Sequence, residues 1–182
     1  MRSPESGYSL VEMGVVCAVM FILAAMAVPL FDSATTRSNA DAAAQLIAQE
    51  LRYARALALG SHANVAVQFS PASNEVAVAP GTGSVRGPFV LPLRMRLQPA
   101  ALGPATPDNL NATVLGTGGY TQMTFLDNGS VVDDPVANNL ISGTFFLQHA
   151  NGDASTRRAV TLVGGTGRVH IWRYDCATNS WR

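Results

Sequence analysis

One carboxylate, Glu12, sits inside an otherwise apolar run from Tyr8 to Phe31 of this 182-residue chain. At the centre of a hydrocarbon span a carboxylate costs about 2.5–3.5 kcal/mol on insertion scales, so a charged partner or an interfacial position is implied. The chemistry open to Glu12 is charge pairing. A second concentration of polar groups comprises Arg157, Arg158, Arg168, His170 and Arg173. Guanidinium forks match carboxylate and phosphate oxygens two at a time, so this group offers anion recognition. Histidine at position 170 is mostly neutral near pH 7 and gives a weaker phosphate contact than arginine.

Other chemistries find little support. His62, His149 and His170 are widely separated, with no H-x-x-x-H or H-E-x-x-H spacing, and no metal is expected. The glycine-rich strings GTGSVRG, GTGG and GGTG are neither a P-loop nor a dinucleotide fingerprint, and read as loop or hairpin glycines. No G-x-S-x-G elbow marks a nucleophilic serine. Cys17 and Cys176 lack CxxC spacing and read as free structural thiols. No catalytic residue, cofactor or small-molecule substrate is expected, so an enzyme is disfavoured.

Composition adds a bound on partners. Twelve basic and twelve acidic residues give zero formal charge, which argues against a general polyanion-binding protein. The charge is uneven, however. Residues 99–142 carry Asp108, Asp127, Asp133 and Asp134 with no base, whereas residues 143–182 carry five arginines against Asp153 and Asp175. Every basic residue is arginine.

Three kinds of element must position these groups. The run from Tyr8 to Phe31 is 24 residues long, enough for a helix to cross the roughly 30 Å hydrocarbon core. A cleaved secretory signal is the competing reading, with Arg2 as its charged region and Ala25-Met26-Ala27 as the cleavage site. The run exceeds the usual signal core of about 7–15 residues, and Glu12 interrupts it. Pro29 falls late in the run, where it either disrupts the helix or ends the span. Beyond Asp32, the residues Ala40, Ala43, Ile47, Leu51, Ala54 and Ala58 follow helical steps, and Gly60-Ser61 supplies a stop signal. This alanine-rich stripe fits close packing against a sheet.

The remainder reads as short strands. NVAVQF and EVAVA flank the turn Pro71-Ala72-Ser73-Asn74 as a hairpin, and FVLPLRMRLQ reads as one edge strand interrupted by Pro92. The stretch PAALGPATPDNLNATVLGTGGY reads as a surface loop. TQMTFLDNGSVV turns at Asp127-Asn128-Gly129, and GTFFLQH and RRAVTLVGGTGRVHIWRYD supply the last strands. The expected class is α+β, one antiparallel sheet wrapped on one long N-terminal helix.

The string Gly7-Tyr8-Ser9-Leu10-Val11-Glu12, followed directly by the apolar run, resembles the prepilin processing motif of type IV pilins and type II secretion pseudopilins. The resemblance implies cleavage after Gly7 by prepilin peptidase and N-methylation of Tyr8, which keeps the aromatic ring of the more usual phenylalanine. It divides the chain into a leader, 1–7, a transmembrane and filament-core helix, 8–31, and a helix plus β-rich periplasmic head, 32–182. In a filament, Glu12 would then meet the Tyr8 ammonium of an adjacent subunit, a pairing that makes a buried charge tolerable and sets register. A glutamate snorkelling at the interface is the alternative. The family's proline at the position of Pro29 is associated with local helix melting on assembly.

Farther along, Gln49-Glu50-Leu51-Arg52-Tyr53-Ala54-Arg55-Ala56, the TFLDNGS turn and Gly167-Arg168-Val169 resemble the GspH/FimT family of minor pilins and pseudopilins. That resemblance implies a pilin-like fold and a subunit that initiates or caps a type IV pilus or type II secretion pseudopilus. Its partners would be other major and minor pilins or pseudopilins, prepilin peptidase and the bacterial inner membrane, crossed once with the head in the periplasm. Members with a Gly-Arg-x-Arg motif bind DNA in natural transformation. Here His170 replaces the second arginine, and Arg157, Arg158 and Arg173 would have to supplement Arg168.

Overall fold

The computed structural model describes residues 9–81, 83–92, 94–133, 135–136 and 138–182, with only the backbone described for 27–30. Two units are present, one up to Thr36 and one from Arg37 to Arg182. A single helix, α1, runs Leu10–Ser61. Its start is set by Ser9, whose hydroxyl accepts from the Val11 N–H at 3.3 Å and whose carbonyl accepts from the Met13 N–H at 3.1 Å. Its end at Ser61 falls within the expected Gly60-Ser61 stop. Gly60 is helical, and His62 adopts the left-handed conformation (φ 48°) while the Ala63 N–H returns to the Ala58 carbonyl.

Two five-stranded antiparallel sheets form the rest of the second unit, where one was expected. The strands of the first are β1 (Val65–Ser70), β2 (Glu75–Pro80), β3 (Arg86–Val90), β5 (Gln122–Phe125) and β6 (Val131–Val132), in spatial order β3-β2-β1-β5-β6. The second contains β4 (Met95–Gln98), β7 (Gly143–His149), β8 (Arg158–Val163), β9 (Arg168–Asp175) and β10 (Ser180–Trp181), in order β10-β9-β8-β7-β4. The β1–β2 hairpin forms as its alternation dictates, with Val67 opposite Val78.

FVLPLRMRLQ is not one edge strand. Its halves are β3 and β4, which edge different sheets. Pro92 cannot donate to a ladder and Arg94 takes a positive φ of 64°, so strand pairing ends at Val90 and resumes only at Met95. Chain transfer from sheet to sheet occurs there.

Helix and sheets share one core. Ala40, Ala43, Ala44, Ile47, Ala48, Leu51, Ala54 and Ala58 are fully buried and join Val65, Val67, Phe125, Phe145, Leu147, Val160 and Leu162. Small side chains on that stripe let strand side chains approach the helix backbone. Phe69 and Phe145, one from each sheet, meet with ring centroids 4.8 Å apart.

A second, smaller core covers the opposite face of the second sheet, built from Phe146, Ala159, Tyr174 and Trp181 with Leu102 and Val114. Every residue of β7 is consequently buried, which explains the consecutive Phe145-Phe146. The stretch 99–120 is therefore a cover for this core and more than a surface loop. Leu115 donates to the Thr144 carbonyl at 3.0 Å, Thr144 donates to the Thr113 carbonyl at 2.9 Å, and Trp181 Nε1 donates to the Pro104 carbonyl at 2.9 Å. Its Gly and Pro content prevents a regular strand, so its buried backbone is satisfied by these individual bonds.

Candidate functional site

The first candidate is the start of α1. Gly7 and Tyr8 lie outside the described residues. Glu12 occupies the third helical position after Ser9, so the string Ser9-Leu10-Val11-Glu12 has the S-x-x-E spacing of a capping box. A carboxylate in the first turn is also favoured by the helix dipole. From Leu10 to Met26 the side chains are exposed, including Leu10, Met20 and Phe21, and α1 is long and apolar enough by length and composition to cross a membrane. The backbone stays helical through Pro29 in the isolated chain.

The second candidate is the arginine group, and strand geometry divides it. Along β8, Val160 and Leu162 face the main core, and Arg158 shares their parity. Arg173 on β9 is its direct cross-strand partner. Both guanidiniums turn toward α1 and clasp one carboxylate: Arg158 Nε donates to Asp41 Oδ1 at 2.5 Å, and Arg173 donates to Asp41 Oδ2 at 2.6 Å. The Arg158 side chain is only 2 % exposed and also donates to the Ser155 and Arg157 carbonyls at 3.0 and 2.8 Å. Arg158 is a structural cation, enclosed by the fold and out of reach of an external phosphate.

Arg168, His170 and Trp172 occupy the opposite face of β9, where Arg168 Nε donates to His170 Nε2 at 2.6 Å. Arg157 stacks over the Tyr174 ring at 5.4 Å. The five residues expected to act together thus form two groups on opposite faces of a sheet.

Residues outside those five complete the first of these groups. Arg37, Asp41, Arg158, Arg173, Asp175 and Arg182 line a groove of about 690 Å³. Arg182 donates to Asp175 Oδ2 at 2.6 Å. The Ala177 N–H, against the opposing effect of burial and with smaller help from the Thr178 hydroxyl and Arg182, holds the Asp175 carboxyl below the usual carboxylate range. Asp41 lies off the stripe Ala40, Ala43, Ile47, Leu51, Ala54 and Ala58, so periodicity assigns it only to the polar side of the helix.

The quoted helix and turn motifs converge on one another. Glu50, buried, accepts from Arg86 at 3.3 Å, and Arg86 lies 4.1 Å from the Tyr53 ring centroid. Arg52 donates to the Val169 carbonyl at 3.3 Å. Arg55 passes between the turns at Gly129 and Gly167, two glycines with φ of 80° and 60°. A Cβ on Gly167 would press into the Gly129 carbonyl oxygen and lie 2.8 Å from Arg55 Cδ. Gly167→Ala is expected to destabilise the second unit by about 2–4 kcal/mol, from left-handed strain plus overlap with backbone. Thermal unfolding of the detergent-solubilised chain measures it, and a loss below about 0.5 kcal/mol would contradict the packing described. The GspH/FimT-like strings accordingly mark the joint between helix and sheets.

Among the described residues, no three His, Cys, Asp or Glu side chains gather as a metal site would require. No protein-family model matches the sequence, and a search of curated proteins returned no match. Solved structures similar to the chain include the type IV minor pilin FimU of Pseudomonas aeruginosa in two crystal forms. One is 17% identical, covers 72% of this chain and 90% of that chain, and has a TM-score of 0.45; the other gives 16%, 75%, 90% and 0.45. The chain is also similar to the minor pseudopilin EpsH from the Type 2 Secretion System of Vibrio cholerae, at 14% identity, with 74% and 97% of the two chains covered and a TM-score of 0.48.

Proposed function

We propose that the chain is a minor pilin or pseudopilin, a structural subunit that helps initiate or cap a type IV pilus or a type II secretion pseudopilus. The observation that carries the reading is Glu12 in the first turn of a helix whose next stretch is bare and apolar and whose later turns are locked into a β-rich unit. An exposed apolar surface of that length requires lipid or other subunits to cover it. Before assembly the span lies in the bacterial inner membrane as a single pass, with the β-rich unit in the periplasm. On assembly, other pilins or pseudopilins cover it, and Glu12 pairs with a neighbouring amino terminus.

Prepilin peptidase supplies that amino terminus by cutting after Gly7. Intact mass of protein isolated from host membranes should show loss of residues 1–7 and one added methyl on Tyr8. Replacing Gly7 with a bulky residue should leave the leader attached. A mature chain beginning after Ala27 would instead establish a cleaved secretory signal.

A second reading, DNA binding during uptake, is favoured by the row Arg168, His170 and Trp172 on one strand face, with the His170 and Trp172 rings 5.6 Å apart. A cation beside stackable rings suits a single strand. The pairing of Arg158 and Arg173 with Asp41 leaves this row without their help.

A further inference from the structure

We propose that the groove formed by Arg37, Arg173 and Arg182 is a docking site for the phosphate of an anionic phospholipid headgroup, a proposal that rests on the membrane-anchored reading above. Four guanidiniums, Arg37, Arg158, Arg173 and Arg182, line it against two carboxylates, Asp41 and Asp175, a net charge of +2. Both carboxylates are already occupied. Asp41 accepts from Arg158 on one oxygen and from Arg173 on the other, while Asp175 accepts from the Ala177 N–H and from Arg182. Internal anions therefore leave most of the cationic donors unused.

The unused donors point to solvent. The side chains of Arg173 and Arg182 are 65% and 66% exposed, and each is described in only one side-chain ion pair. A guanidinium has five N–H donors, so one such bond leaves most of the fork available. Arg37 is exposed and makes no ion pair within 4 Å among the described residues, interacting with the Asp153 carboxylate only at longer range. Three such forks around one groove suit an oxyanion with several equivalent acceptors, which is a phosphate.

Tethering selects the lipid as the source of that phosphate. Arg37 follows Phe31, the last residue of the apolar run, by six positions. Six residues reach at most about 20 Å in any conformation, and the polar headgroup layer adds about 5–7 Å beyond the hydrocarbon. Headgroups are consequently present at high local concentration wherever the anchor is inserted. Soluble phosphate and nucleic acid have no such advantage.

Cys176 is exposed and lines the same groove, so its thiol reports occupancy, while Cys17 lies in the apolar run and reports insertion. The full chain would be reconstituted into vesicles of phosphatidylcholine alone or with one-third phosphatidylglycerol, and treated with an uncharged, membrane-impermeant maleimide. Phosphatidylglycerol is expected to slow Cys176 alkylation about 5-fold or more. In Arg37→Gln/Arg182→Gln, which leaves the Asp41–Arg158–Arg173 cluster intact, the slowing should vanish while the rate in phosphatidylcholine stays the same.

Slowing that persists in the double variant would be a general surface-charge effect and would overturn the proposal. So would equal rates in the two vesicles. Slowing in phosphatidylcholine on adding millimolar inorganic phosphate or a single-stranded oligonucleotide would assign the groove to those ligands instead. Alkylation of Cys17 in both vesicles would overturn the anchor itself. Protected Cys17 with unchanged Cys176 sinks only the groove.

Discussion

Asp41→Ala is expected to lower the stability of the second unit by about 3 kcal/mol or more. Arg158 is enclosed, with 2 % of its side chain exposed, and Asp41 is its counter-ion at 2.5 Å. Removing one partner of a buried pair costs about 3–5 kcal/mol because the other charge stays buried without compensation. The two carbonyls that also accept from Arg158 keep the expectation at the lower end of that range. Arg173→Ala breaks the other half of the cluster but removes a side chain that is 65% exposed. It should cost about 1 kcal/mol or less. Denaturant titration of the detergent-solubilised chain separates the two, as a shift of midpoint at constant slope. Equal small losses for both would mean that Asp41 does not neutralise Arg158. Replacing Asp41 and Arg158 together by leucine and methionine should recover much of the loss.

Glu12→Ala is expected to leave membrane insertion intact and to reduce incorporation into sheared filaments or an initiating complex about 10-fold or more. Insertion survives because the span becomes more apolar. Incorporation falls because a neighbouring amino terminus would enter the filament core unpaired, at a cost well above the roughly 1.4 kcal/mol that corresponds to tenfold. The capping position of Glu12 offers a competing explanation, but a first-turn carboxylate contributes only about 0.3–1 kcal/mol on an exposed helix. Glu12→Gln discriminates further. It retains an acceptor for the helix terminus and loses the charge, so the ion-pair account predicts failure close to that of alanine. Incorporation of the glutamine variant at the normal level would assign Glu12 to capping.

Local patterns made part of this molecule legible. The apolar run and its lone carboxylate, the stripe Ala40, Ala43, Ile47, Leu51, Ala54 and Ala58, and the hairpin about Pro71–Asn74 all depend on neighbours a few residues away. Helical and strand periodicities express exactly that range of interaction. The stripe is fully buried, the hairpin sets Val67 opposite Val78, and the apolar run is helical from Leu10. The helix ends at Ser61, within the expected Gly60-Ser61 stop, with His62 as the left-handed residue and the Ala63 N–H returning to the Ala58 carbonyl.

What depended on distant partners was settled only by tertiary structure. The halves of FVLPLRMRLQ entered different sheets, because a ladder needs a neighbour and Pro92 ended the first one. The irregular stretch 99–120, expected as a surface loop, became the cover of a second core, a role visible only once Phe146 and Trp181 were placed on the back of their sheet. For the arginines, strand parity separates Arg158 from Arg157 in the sequence itself, but which face meets the helix is a global choice. Asp41 made that choice consequential: it takes its two cations from 117 and 132 positions away, converting one predicted phosphate ligand into a buried structural charge and leaving Arg37 and Arg182 to define the open groove. No periodicity encodes a contact over that separation, because it is created by packing two sheets on one helix.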